Sequence, residues 1–251
     1  MILLDGKTLS QKILSSLSVF PDISLHVILV GDDPASLKYV SIKEKKCREI
    51  GIKCTVHHLA STVVASKLLN LITQLNNDPS VTGFFIQLPL PKKFDQSKIL
   101  NTINPKKDVD GLNPSSKIFP AVATGIIRLL DEYHLNSTGK NVVIINDSSL
   151  IGQPLKTLFE KRHAIVTLCN MFTNCLSDIT SEADILISAT GVKNLITSDF
   201  VKNGAVVVDA AGGDVDFISV SPKCSFITPT FGGVGPMTIA SLLFNLLSTK
   251  F

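Results

Sequence analysis

The stretch SLHVILVGDDPASLKYVSIKEKKCREIGIKCTVHHLA, residues 24–60, reads as strand, helix, strand. SLHVILVG (24–31) is a short apolar run ending in glycine, the pattern of a buried strand. Pro34 opens a helical pattern and Gly51 follows its end. KCTVHHLA (53–60) is a second strand. Inside the helix, Tyr39 and Lys43 are four residues apart and share one face. A ring beside an amine can stack on a conjugated substrate while the amine moves protons, provided burial or nearby charge lowers its pKa. The ordinary alternative is a solvated lysine with a tyrosine packed on its stem.

Moving outward, the alternation continues. ASKLLNLITQLNND (65–78) is an amphipathic helix, VTGFFIQLPLP (81–91) begins as a strand and is stopped by Pro89 and Pro91, and a short helix near 95–102 leads into the loop NPKKDVDGLNP (104–114). A long helix near 121–134 follows. The rhythm then restarts with a strand at 140–146, a helix at 153–162, a strand at 164–169, and two apolar runs ending near glycine, 183–191 and 205–213. FITPTFGGVGP (226–236) reads as a loop and MTIASLLFNLLS (237–248) as an apolar-striped final helix. This predicts an α/β fold of parallel sheets covered by helices, divided into domains near residue 120.

In such folds ligands bind beyond the carboxyl ends of the strands. Three polar groups stand there in the first half: Tyr39 with Lys43, Gln87 directly after GFFI, and Asp108 with Asp110 in a Gly- and Pro-bounded loop. A lysine, an amide and a carboxylate together make a candidate proton-handling site. Taken singly, Gln87 could cap a strand and Asp110-Gly111 could be a turn. In the second half no GxGxxG is present, but NDSSLIGQP (146–154) places Gly152 ahead of a helix start, a turn able to present backbone N–H groups to a phosphate.

Composition narrows the classes. The chain has 251 residues, 45% hydrophobic and 18% charged, with a net charge of +3. That is globular, and too weakly basic to argue for nucleic acid or a membrane surface. No apolar run has the length of a bilayer span. Asp5 and Lys7 interrupt the apolar stretch a secretion signal needs, and five scattered cysteines with no CxxC fit a reduced, cytoplasmic setting without a zinc site or disulfide framework.

With these residues in view, the chain closely resembles the bifunctional methylenetetrahydrofolate dehydrogenase/cyclohydrolase family. VGDDPAS followed by Tyr39-Val-x-x-Lys43-x-Lys45, GFFIQLPLP (83–91), PKKDVDG (105–111) and GGVGPMT (232–238) are similar to four of its motifs, in order and at matching spacing. The resemblance implies a folate-binding α/β domain over 1–120, joined by the C-terminal helix 237–251, and a Rossmann-type domain over 121–236, with folate in the cleft between them. It implies NAD(P)-dependent oxidation of 5,10-methylenetetrahydrofolate and hydrolysis of the methenyl product to 10-formyltetrahydrofolate. By resemblance Lys43 is the acid/base group, Gln87 its partner, Tyr39 the stacking ring and Asp110 the pterin anchor. Leu88, Gly232 and Gly233 would line the folate pocket. Asn146, Asp147, Ser148, Ile151, Gly152, Asn170, Met171 and Gly212 would line the cofactor site. A homodimer is also implied.

The departures cluster in the second domain. Where the family has Gly-Arg-Ser, with the arginine pairing the 2′-phosphate of NADP, this chain has Asn146-Asp147-Ser148. Where the family has His-Ser, it has Asn170-Met171. NADP is the family default, but an aspartate repels a phosphate and accepts a hydrogen bond from a free ribose 2′-hydroxyl, which favours NAD. Further changes fall at Pro120-Ala121-Val122-Ala123, at Asp209 to Gly213 and at Phe231. They leave two alternatives to the full enzyme: a cyclohydrolase alone, and a non-catalytic folate-binding protein. A hydroxy-acid dehydrogenase is disfavoured, since none of the five histidines stands after a strand beside a carboxylate.

Overall fold

The alternation of strand and helix resolves into two parallel sheets in a computed structural model that describes residues 1–17 and 19–249. The strands are β1 (Ile2–Leu3), β2 (Ser24–Val30), β3 (Lys53–Leu59), β4 (Gly83–Ile86), β5 (Asn141–Ile145), β6 (Ile165–Cys169), β7 (Ile185–Ser188), β8 (Val206–Asp209) and β9 (Phe226–Ile227). The helices are α1 (Gly6–Ser15), α2 (Pro34–Glu49), α3 (Ala65–Asn77), α4 (Gln96–Leu100), α5 (Ala121–Glu132), α6 (Gly152–Glu160), α7 (Leu176–Thr180), α8 (Phe217–Val220) and α9 (Val234–Ser248). Residues 250 and 251 of the expected helix 237–251 lie outside the described residues, as does residue 18.

The chain forms two compact units, Leu14–Ala121 with Leu242–Phe251, and Met1–Ile13 with Val122–Ser241. The first contains the sheet β3-β2-β4, in which Val27 on the central strand pairs with Val56 on one side and Phe85 on the other. Strand β2 is covered on both faces, so it reads as a continuous apolar run instead of an alternation: Leu25, Val27 and Ile28 are fully buried. Helix α3 packs through Leu68, Ile72 and Leu75, spaced for one helical face.

The second unit contains the sheet β1-β9-β8-β7-β5-β6, parallel throughout. Alternate residues of its strands feed two cores. Val142, Ile144, Ile185, Ile187, Val206 and Val208 pack with Leu155 and Phe159 of α6 and with α5, whereas Val143, Ile145, Leu186 and Val207 face the other way. The chain order reverses between β5 and β7, a topological switch point of the kind that binds ligands beyond the strand ends.

One expectation needs correction. Residues 226–236 are not all loop: Phe226–Ile227 form β9, and the last helix begins at Val234, not 237. Residues 1–13 lie in the second compact unit, where β1 hydrogen-bonds to β9. Both strands are two residues long, too short to carry a period.

Within the first unit, Asn245 of α9 is 8% exposed and donates its side-chain N–H to the carbonyl of fully buried Val109 at 3.1 Å. Asn245→Leu removes that donor from a buried acceptor and should cost about 1–3 kcal/mol. Urea denaturation should show a lower midpoint, and an unchanged midpoint would show that the bond adds nothing.

Candidate active site

Helix α2 starts where the sequence says it should. Asp33 caps it by accepting from Ser36 N at 2.8 Å, and Pro34 occupies its first turn. The face it buries is Ser36, Val40, Lys43 and Cys47. Lys43 therefore lies on the core-facing stripe, 4% exposed, and a solvated lysine is excluded. Its Nζ donates to Gln87 Oε1 at 3.1 Å. The Gln87 amide nitrogen is spent on the Leu88 carbonyl at 2.8 Å, so the oxygen end faces the amine. The Gln87 backbone N–H bonds to Ile28 O at 2.8 Å and keeps the residue in line with the end of the sheet.

The amine lies 4.1 Å from the centroid of the Phe85 ring and 5.9 Å from that of Tyr39. Phe85 carries no motif of its own in the sequence. The only signal was its place two residues before Gln87, on a strand buried on both faces. Burial pushes the Lys43 pKa below the ordinary lysine value, while the Asp110 carboxylate pulls it back. Asp110 is itself raised by burial, with Lys43 opposing.

The loop that presents Asp110 is built by its neighbour. Asp108, 0% exposed, accepts from Gly111 N at 3.0 Å, Asn113 N at 2.8 Å and Ser116 Oγ at 2.6 Å. The two aspartates thus separate: Asp108 holds the turn, and Asp110 is the one coupled to Lys43. Gly111 sits at φ +70°, and a Cβ there would meet the Phe119 and Pro120 backbone at 2.7–2.9 Å, so only glycine fits. Lys43, Tyr39, Gln87, Leu88 and Asp110 all belong to the first unit.

Gly232 and Gly233 belong to the second unit, where the Gly232 carbonyl accepts from Lys7 N at 2.7 Å. The same unit holds the expected cofactor residues. Asn146 follows β5 and organises the switch point: its Oδ1 accepts from Ser148 N at 2.9 Å, Ser148 Oγ at 2.7 Å and Gly152 N at 3.2 Å. Its Nδ2 donates to Ala189 O, beyond β7, at 2.7 Å. Ile151 precedes α6, and its N–H donates to Ser148 Oγ at 3.2 Å. A Cβ on Gly152 would be 1.9 Å from the Asn146 carbonyl, so the turn into α6 is a cradle only glycine completes. That fits a dinucleotide pyrophosphate. Asp147 Oδ2 accepts from Asn170 Nδ2 at 2.7 Å, and Met171 is 88% exposed. Gly212 donates its N–H to Asp209 at 2.7 Å, and Asp209 also accepts from Gly213 N and Val215 N. Asp209, which the sequence marks only as the start of a departure from the family pattern, and Asp214, which bonds Ser188 and Thr190, are loop-holding carboxylates.

His26 Nδ1 is paired with His57 Nε2 at 2.9 Å, and His58 Nε2 bonds the Gly31 carbonyl. Among the described residues no cluster of three or more His, Cys, Asp or Glu could hold a metal ion, and no helix is long and apolar enough to cross a membrane.

Comparison with known proteins gives one consistent outcome. Residues 4–110 match the tetrahydrofolate dehydrogenase/cyclohydrolase catalytic domain, and residues 120–250 match the NAD(P)-binding domain of the same family. The chain is 45% identical to the bifunctional protein FolD of Wolinella succinogenes, over 98% of this chain and 96% of that protein. It resembles the crystal structure of the bifunctional FolD enzyme of Campylobacter jejuni with a TM-score of 0.93 and 43% identity, over 99% of this chain and 98% of that one. It also resembles the Trypanosoma brucei FolD enzyme, solved with NADP and an inhibitor, with a TM-score of 0.93 and 28% identity, over 99% and 96% of the two chains. The chain belongs to the tetrahydrofolate dehydrogenase/cyclohydrolase family.

Proposed function

We propose that the chain oxidises 5,10-methylenetetrahydrofolate to the methenyl form with a nicotinamide dinucleotide, then hydrolyses that product to 10-formyltetrahydrofolate. The observation that carries the reading is the buried Lys43–Gln87 hydrogen bond, in a chain whose two halves match the catalytic and cofactor domains of one family.

The residues act as follows. Hydration of the methenyl bridge requires a group that takes a proton from water and returns it to a ring nitrogen. Lys43, its pKa lowered by burial, supplies a neutral amine at lower pH than a solvated lysine does. Gln87 holds that amine in one place through an acceptor oxygen that its other bond keeps turned the right way. Tyr39, 36% exposed and on the same helical face, offers its ring to the pterin. Asp110 anchors the polar edge of the pterin, and Leu88, Gly232 and Gly233 complete the folate contacts.

The bound dinucleotide supplies the hydride acceptor. Asn146, Asp147, Ser148, Ile151, Gly152, Asn170, Met171 and Gly212 hold it. Of the two dinucleotides, the charge of Asp147 favours NAD. A homodimer and a cytoplasmic, reducing location complete the proposal. Five free thiols at Cys47, Cys54, Cys169, Cys175 and Cys224 support the location.

Lys43→Met should lower methenyltetrahydrofolate hydrolysis by about 10²-fold or more, the lower end of what general acid–base groups contribute, while the circular dichroism spectrum stays unchanged. A mutant that hydrolyses at near the original rate would remove Lys43 from this role.

The pH profile gives a second test. The hydrolysis rate should rise with pH through a limb below the ordinary lysine value of about 10.4, as the amine loses its proton. The same depression makes the folded state bind fewer protons than the unfolded chain between the two pKa values. The Lys43 contribution to stability is therefore complete above the unfolded value and is lost as pH falls through the folded one. A profile flat to pH 10 would contradict this.

A further inference from the structure

We infer that the carboxyl end of β6 is a built receptor for the adenosine half of NAD, with Asn170 as the positioning residue that makes it select a free ribose 2′-hydroxyl over a 2′-phosphate. The inference rests on the reading that this unit binds a nicotinamide dinucleotide, and deepens it by naming what sets the choice.

Three observations converge on this place. The first is the hydrogen bond from Asn170 Nδ2 to Asp147 Oδ2 at 2.7 Å, joining the loop after β5 to the end of β6. In doubly wound sheets the acidic group that binds the ribose diol stands at the end of the second strand, about 20 residues past the phosphate-binding glycines. Here that position, beyond Cys169 and past Gly152, holds an amide. The carboxylate is supplied by Asp147 and held in place by the amide. With Oδ2 engaged, Oδ1 takes part in no other side-chain hydrogen bond among the described residues, which leaves an acceptor for a ribose O–H.

The second observation is that Asn170 is fixed from every side. Its Oδ1 accepts from Phe172 N at 2.8 Å, its N–H donates to Thr173 Oγ1 at 2.9 Å, and its carbonyl accepts from Thr173 N at 3.0 Å. These bonds close a turn over residues 170–173, so the amide cannot swing away from Asp147 without opening the turn.

The third observation is what the turn carries. Turn corners are ordinarily glycine or short polar residues. Here the corners are Met171 and Phe172, 88% and 80% exposed. An aromatic ring beside a polarizable thioether, next to a fixed carboxylate, is an apolar platform for a purine ring. The charge disfavours the other dinucleotide. A 2′-phosphate placed where the hydroxyl goes would face the Asp147 carboxylate, and like charges at hydrogen-bond distance repel.

The half-site can be tested without the reaction, by titrating the full chain with ADP and with 2′,5′-ADP in a calorimeter. ADP should bind about tenfold or more tightly than 2′,5′-ADP. Asn170→Ala should weaken ADP several-fold and narrow the ratio between the two, because the carboxylate is no longer held; loss of a merely structural residue would weaken both equally. Phe172→Ala should weaken both ligands by the same factor and leave the ratio intact. Asp147→Asn should move the ratio toward 2′,5′-ADP. Tighter binding of 2′,5′-ADP by the unaltered chain would overturn the inference, as would a ratio unmoved by Asn170→Ala in a folded variant. NADPH fluorescence separates the two failures. A chain that binds NADPH better than NADH keeps the dinucleotide reading and loses only this selectivity, whereas a chain that binds neither loses both.

Discussion

A primary amine held away from water is the constraint on which the first unit depends. Lys43 lies on the same buried stripe of α2 as Ser36, Val40 and Cys47. Burying an ammonium without a partner is costly, and the fold offsets the cost in three ways. One is an acceptor, Gln87 Oε1 at 3.1 Å; another is the face of Phe85, 4.1 Å from the nitrogen; the third is the charge of Asp110. Together they fall short of full hydration, so the pKa falls. The same desolvation that strains the folded state leaves a usable base.

Keeping those partners in place requires much of the surrounding unit. Gln87 is aligned by the register of β2 with β4, which ends at Ile28 and Ile86 and continues through the Gln87 backbone bond to Ile28. Asp110 is held by the turn that Asp108 ties together with three hydrogen bonds, and α9 adds a clasp from Asn245 to Val109. The charge that opposes the desolvation of Lys43 is therefore fixed by structure instead of being free to approach from solvent.

The second unit applies the same principle to backbone groups. At the carboxyl ends of its strands, Asn146 and Asp209 each gather several donors of the following loop, and Asp214, in the loop after β8, accepts from Ser188 and Thr190 at the end of β7. Loops that must stay open for a ligand cannot pair with one another, and short polar side chains satisfy them locally. The Asp147–Asn170 bond joins the loops after β5 and β6, as Asn146 to Ala189 and Thr190 to Asp214 join others.

The sequence by itself determined the α/β class, most element positions and the grouping of Tyr39, Lys43, Gln87 and Asp110 at strand ends, because apolar periodicity, caps and turn residues are local signals. Pro34 marked the start of α2, and the four-residue spacing put Tyr39 and Lys43 on one face. Only the tertiary structure decided the rest. The pairing of β1 with β9 joins two-residue strands more than 220 residues apart, which no period can signal. The Phe85 ring under the amine, the separation of Asp108 from Asp110 and the Asp147–Asn170 bond depend on which side chains meet when distant segments pack. Sequence spacing encodes the face a residue presents on its own element, but the partner on another element is chosen by the sheet order and the packing that brings them together.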